Sequence, residues 1–150
     1  MYPMSKESHL QHVLDCGIVA VVRSPDSAQL VDTVRALAGS APGQHVKFEL
    51  AACRTDIEAG QALIDRALDA HMAGDLTVQD AAIAKLYATE LHGRVVDRCT
   101  RVLGLSHYTS DDVVGRFYLD GRVSRIYGGS SEIMKVIISQ PFDFTSASGK

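Results

Sequence analysis

A mainly helical fold is predicted for this chain: an antiparallel helical bundle, preceded by a short helix–strand–helix segment. Three observations predict it. From residue 44 onward, apolar residues recur at three- and four-residue spacings, the period of a helix face and not of a strand. Helix-breaking and capping residues bracket each periodic run: Gly74, Thr77, Ser110, Ser130 and Pro141. One stretch departs from this period, the β-branched run Ile18-Val19-Ala20-Val21-Val22, which suits a buried parallel strand.

The bulk properties narrow the function. A length of 150 residues favours one domain. Apolar residues at 46 % and charged residues at 22 % are ordinary for a globular protein. A net charge of −3 with both signs mixed gives no basic field for nucleic acid and no polybasic run for a membrane surface. No apolar stretch approaches the roughly 20 residues a membrane span needs. Met1 to Leu10 lacks the apolar core of a signal peptide. Cys16, Cys53 and Cys99 are odd in number and distant in sequence, which predicts reduced thiols in a cytoplasmic protein and no metal cage.

Taken in order, Ser5 to Cys16 reads as a short amphipathic helix through Leu10, Val13 and Leu14, stopped by Gly17. The strand at 18–22 follows. Pro25 then opens a helix whose stripe is Leu30, Val31, Val34 and Leu37. Gly39-Ser40-Ala41-Pro42-Gly43 is small and helix-breaking, and it divides the chain into 1–43, a bundle at 44–140 and a Ser-rich tail at 141–150. Gln44 to Ala73 is the first long helix, with Val46, Leu50, Cys53, Ile57, Ile64 and Leu68 on one seam and Gly60 filling a slot. Thr77 caps a second, which runs to about Leu103 with the stripe Ile83, Tyr87, Leu91, Val95, Cys99 and Val102. The short connection predicts that the two are antiparallel. Ser110-Asp111-Asp112 opens a shorter helix through Val113, Val114, Phe117 and Tyr118, and this acidic pair reads as a cap.

The last helix begins at Gly128-Gly129-Ser130-Ser131-Glu132. Ser130 is its predicted N-cap, Glu132 complements its dipole, and Pro141 stops it. A glycine pair ahead of a helix N-terminus can seat an anion, although an ordinary capped helix is the commoner use of such a turn. His9 and His12 read as a surface pair, and His107 and Tyr108 as exposed loop residues.

Residues 44–140 resemble the C-terminal domain of the acyl-CoA dehydrogenases. The resemblance rests on Leu119-Asp120-Gly121-Arg122-Val123, on Ile126-Tyr127-Gly128-Gly129-Ser130-Ser131-Glu132-Ile133-Met134-Lys135 and on Ala81 to Leu91, and the Gly-Gly variant looks most like the long-chain branch. It implies FAD as cofactor, an acyl-CoA substrate, electron-transfer flavoprotein as redox partner and a homo-oligomer. It further implies flavin contacts at Ser130, Ser131 and Glu132, a substrate contact at Gly129, and a second flavin element at Arg101 to Tyr108, where Arg101 and Gly104 hold the cofactor positions. In most members a glutamate base directly follows the tyrosine; here Gly128 stands there, so no catalytic residue is assigned and the chain alone is expected to be inactive. The competing reading is a non-catalytic helical oligomerisation module.

Residues 5–38 carry another resemblance. Leu14 to Arg23 looks like the opening of the 2-keto-3-deoxy-6-phosphogluconate aldolases, with Arg23 at the end of the first barrel strand. Aldolase activity is a weaker alternative, because such a barrel takes roughly 200 residues or more.

Overall fold

The structure, a computed structural model, describes residues 43–104 and 109–142. Four helices make up this part: α1 (Gln44–Ala73), α2 (Val78–Leu103), α3 (Val113–Val123) and α4 (Ser131–Ser139). No strand occurs among the described residues. The predicted helix at 5–16, strand at 18–22 and helix from Pro25 lie outside them, as do His9, His12, Cys16, Arg23, Leu105, His107, Tyr108 and the tail from residue 143.

Local chemistry sets the helix ends. Gly74 adopts φ 82°, a left-handed stop in which its N–H reaches His71 O and the N–H of Asp75 reaches Ala70 O. Thr77 then caps α2: its hydroxyl accepts from the Asp80 N–H at 3.0 Å and donates to the Asp80 carboxylate at 2.6 Å. Of the three polar residues before α3, Asp112 is the cap, accepting from the Val114 N–H at 2.8 Å.

The pairing of α1 with α2 is antiparallel, since the partner number falls as the residue number rises. Cys53 meets Cys99, Gly60 meets Leu91, and Ile64 packs on Ala84 and Ala88. Gly60 is a close-approach point, where a Cβ would overlap Leu91 Cδ2. Two clusters fill the seam. One joins Cys53, Leu91, Val95, Val96 and Cys99 to Val114 of α3; the other is Ile64 with Ala84 and Ala88. On the rim, Arg98 of α2 binds Asp56 of α1 at 2.7 Å. Cys53 and Cys99, distant in sequence, lie in one buried cluster of this core. The interaction between the two sulfurs holds the Cys53 thiol below the usual range, and the same interaction, with burial, pushes Cys99 up.

α2 is the hub. α1, α3 and α4 all pack against it and do not build a core without it. It therefore buries more than the predicted stripe. Lys85, Ala88, Thr89, Val96 and Thr100 are also out of solvent. Thr89 and Thr100 tolerate burial because their hydroxyls donate back to helix carbonyls, those of Lys85 and Val96.

Candidate functional site

The site grows from the way α3 ends. Ser124, buried, donates to Gly121 O at 2.6 Å and tightens the last turn. The Tyr127 N–H reaches Val123 O, and the chain then reverses through two left-handed glycines, Gly128 at φ 63° and Gly129 at φ 101°. Glycine holds both values without strain, φ 101° is closed to other residues, and a Cβ on Gly129 would also overlap the Met134 methyl. The turn closes when the Ser131 N–H reaches Arg125 O at 3.1 Å, and α4 begins.

Three residues of α2 support this turn from below. Lys85 Nζ donates to Gly129 O at 2.6 Å. Glu90 accepts from the Ser131 hydroxyl at 2.8 Å and pairs with Arg125 at 3.2 Å. Gly93 leaves room for the Arg125 guanidinium, where a Cβ would overlap it. Ser130, Ser131, Glu132, Arg122, Arg125 and Lys135 edge a half-open cleft of about 270 Å³. A second cleft of about 260 Å³, between α2 and α3, shares Arg122 and Arg125 and is lined by His92 and Phe117.

The predicted contact residues are placed as follows. The Ser130 oxygen accepts from the Ile133 N–H at 3.4 Å, so it caps α4. The Ser131 hydroxyl is committed to Glu90. Glu132 is fully exposed; its own N–H and then the Ser130 hydroxyl hold its carboxyl below the usual range. Its capping contribution is therefore present above the ordinary glutamate pKa and is lost as pH falls through the lowered value. The anion seat expected at the helix start is thus largely filled from within. What stays open is backbone: the N–H groups of Gly128, Gly129 and Ser130 take no backbone acceptor among the described residues. Replacing Ser130 with alanine is expected to lower stability by about 1 kcal/mol, read by urea denaturation, through loss of the cap.

Arg101 and Gly104 are not brought to this turn. Neither lines the cleft at Ser130. Gly104 stands fourteen residues past Glu90 on α2, or ~20 Å along the helix. Arg101 is exposed and pairs with Asp97 one turn back. Lys85, Glu90 and Gly93 were missed in the sequence. The available signal was the company Lys85 keeps: Ala81, Ala82, Ala88 and Thr89, at three and four residues to either side, are all small. Small neighbours at these spacings leave room for another element to pack over the lysine.

The family model for the acyl-CoA dehydrogenase C-terminal domain matches residues 27–141. The chain belongs to this family. As an acyl-CoA dehydrogenase C-terminal domain, it is 35 % identical over 97 residues to the mitochondrial long-chain specific acyl-CoA dehydrogenase of Rattus norvegicus, covering 65 % of this chain and 23 % of that protein. It is also 35 % identical over 97 residues to the benzylmalonyl-CoA dehydrogenase of Aromatoleum aromaticum, of which it covers 26 %. The crystal structure of an acyl-CoA dehydrogenase from Geobacillus kaustophilus superposes with a TM-score of 0.77 at 27 % identity, over 89 % of this chain and 36 % of that one. The chain therefore spans about a quarter of the length of the curated relatives it matches. The match starts at residue 27, inside the stretch expected to be aldolase-like, and the aldolase-like reading of 5–38 finds no support in these comparisons.

The site of this acyl-CoA dehydrogenase domain suits part of a flavin. Of the three residues whose N–H groups take no backbone acceptor, Ser130 lines the cleft of about 270 Å³, and Gly128 and Gly129 stand beside it in the chain, so the turn can meet one edge of a large planar cofactor. That volume is just below the usual range of ligand pockets, about 300 to 1,000 Å³. Among the described residues, no group of three His, Cys, Asp or Glu is placed to hold a metal, and no helix is long and apolar enough to cross a membrane.

Proposed function

We propose that this chain forms one wall of the flavin and acyl-CoA site of an acyl-CoA dehydrogenase, and that it does not catalyse dehydrogenation by itself. The carrying observation is the turn at 128–130, where two left-handed glycines bare the backbone ahead of α4. FAD is the cofactor of this reading, an acyl-CoA thioester the substrate, electron-transfer flavoprotein the electron acceptor and the cytoplasm the compartment. When bound, FAD supplies the hydride acceptor for α,β-dehydrogenation. This chain's residues bind and orient: the N–H groups of Gly129 and Ser130 are available donors, and Arg122, Arg125 and Lys135 give the cleft a positive balance against Glu90 and Glu132.

A base for the α-proton needs a carboxylate with a raised pKa in a dry pocket. Gly128 stands where most members carry it. Glu132 is fully exposed and its pKa is lowered, the wrong direction for a base. Glu90 is paired with Arg125. The test is to titrate the purified chain with FAD, desalt it and record the visible spectrum. Weak binding by titration, no flavin band after desalting and no oxidation of acyl-CoA with an artificial electron acceptor are expected. Turnover of an acyl-CoA would overturn the reading.

The second reading, a homo-oligomeric association module, is favoured by one observation. Leu119, Val123, Ile126, Ile133 and Val136 of α3, the turn and α4 are all exposed, and a group of apolar side chains of this kind usually marks a contact surface. Light scattering of the flavin-free chain separates the two readings: a stable dimer without flavin supports the module.

A further inference from the structure

We propose that Lys85 is a positioning residue for the signature turn: its buried ammonium holds the Gly129 carbonyl inward and so presents the Ser130 N–H outward to the ligand. Lys85 is 1 % exposed, which makes it the largest fully buried side chain among the described residues. An ammonium leaves water at a high cost unless strong acceptors replace the lost hydration. Here one of those acceptors is Gly129 O at 2.6 Å.

The consequence follows from peptide geometry. The bond between Gly129 and Ser130 is trans, so its N–H points opposite to its C=O. With the carbonyl drawn toward α2, the Ser130 N–H faces away from α2, and it takes no backbone acceptor among the described residues. One side of this peptide is free to turn and the other is not. Turning this peptide unit changes ψ of Gly129, which glycine permits, and φ of Ser130, which stands at −67° and would be driven toward positive values that a serine resists. The neighbouring donors are already committed: Ser131 N–H to Arg125 O and Ile133 N–H to the Ser130 side chain. The lysine bond fixes the glycine side of this peptide and adds to the preference of Ser130, and the N–H so presented takes no backbone acceptor among the described residues. Identifying the ligand as FAD rests on the reading above; the orientation of the peptide does not.

The test uses the full 150-residue chain, with Lys85→Met to remove the charge and donor and Lys85→Gln to keep a neutral donor. Thr89→Val is the control, because its hydroxyl bonds only within α2, to Lys85 O and Leu86 O. Three quantities are read: the Gly129 carbonyl-carbon and Ser130 amide resonances by NMR, the affinity for FAD by flavin fluorescence, and thermal melting. Lys85→Met is expected to move both resonances and weaken FAD binding roughly tenfold, about the value of one charge-assisted hydrogen bond. Lys85→Gln should recover part of both. Thr89→Val should melt earlier with the resonances and affinity in place. Unmoved Gly129 and Ser130 resonances in Lys85→Met, or an affinity loss matched by Thr89→Val at equal melting loss, would overturn the proposal. If the wild-type chain shows no response to FAD, the flavin reading fails and the two resonances still decide the role of Lys85. If Lys85→Met does not fold, Lys85→Gln carries the same comparison, and resonances unmoved there count against it.

Discussion

Ile64→Ala lowers the stability of the bundle by about 3–5 kcal/mol, the upper part of the range for a large-to-small core change. The reason is the company Ile64 keeps. It is 2 % exposed, and its cluster partners are Ala84 and Ala88, with Ala67, Leu68 and Ala81 at the edge. Alanines have no rotamers with which to fill a void. The cavity therefore persists, and the cost rises with its residual volume. Neither helix can close the gap by moving inward, because Gly60 one turn away already sets closest approach against Leu91. For a domain of about 100 residues the loss corresponds to a fall in melting temperature of roughly 15–30 °C. Thermal denaturation followed by circular dichroism measures it. A fall of only a few degrees would mean that the Ala-rich half of the α1–α2 seam is loosely packed.

Glu90→Ala costs about 2 kcal/mol and frees the signature turn from α2. Glu90 alone receives both Arg125, at 3.2 Å, and the Ser131 hydroxyl, at 2.8 Å. Removing it leaves Arg125 without its carboxylate beside Gly93, in a place where the guanidinium is 25 % exposed. The pair is partly screened by water, so the value lies below that of a fully buried ion pair and above the 0–1 kcal/mol of a surface one. A double-mutant cycle with Ser131→Ala separates the two contacts. A coupling near zero would show that Ser131 does not depend on Glu90. Faster hydrogen exchange at Ser131 and Ile133 in Glu90→Ala would report the release of the turn directly.

The two long helices were legible because each carries an apolar stripe and ends on unambiguous residues. Gly74 and Thr77 bracket the connection as predicted, and Ser130 caps α4 as predicted. The signature turn was legible as a string of residues, and that string led to the family. What Ser130, Ser131 and Glu132 touch was not. Their side chains are taken up by capping and by Glu90, and the backbone is what remains open.

The sequence by itself determined the four helices of the described residues, their order and the family, because period, caps and stops act within one or two turns of chain and need no distant partner. Only the tertiary structure decided that α2 is the hub, that Cys53 faces Cys99, and that Lys85 and Glu90 carry the turn some forty residues further on. A lysine and a glutamate in a helix look the same in sequence whether they face water or a carbonyl. Which they face depends on where α4 docks, and long-range packing sets that.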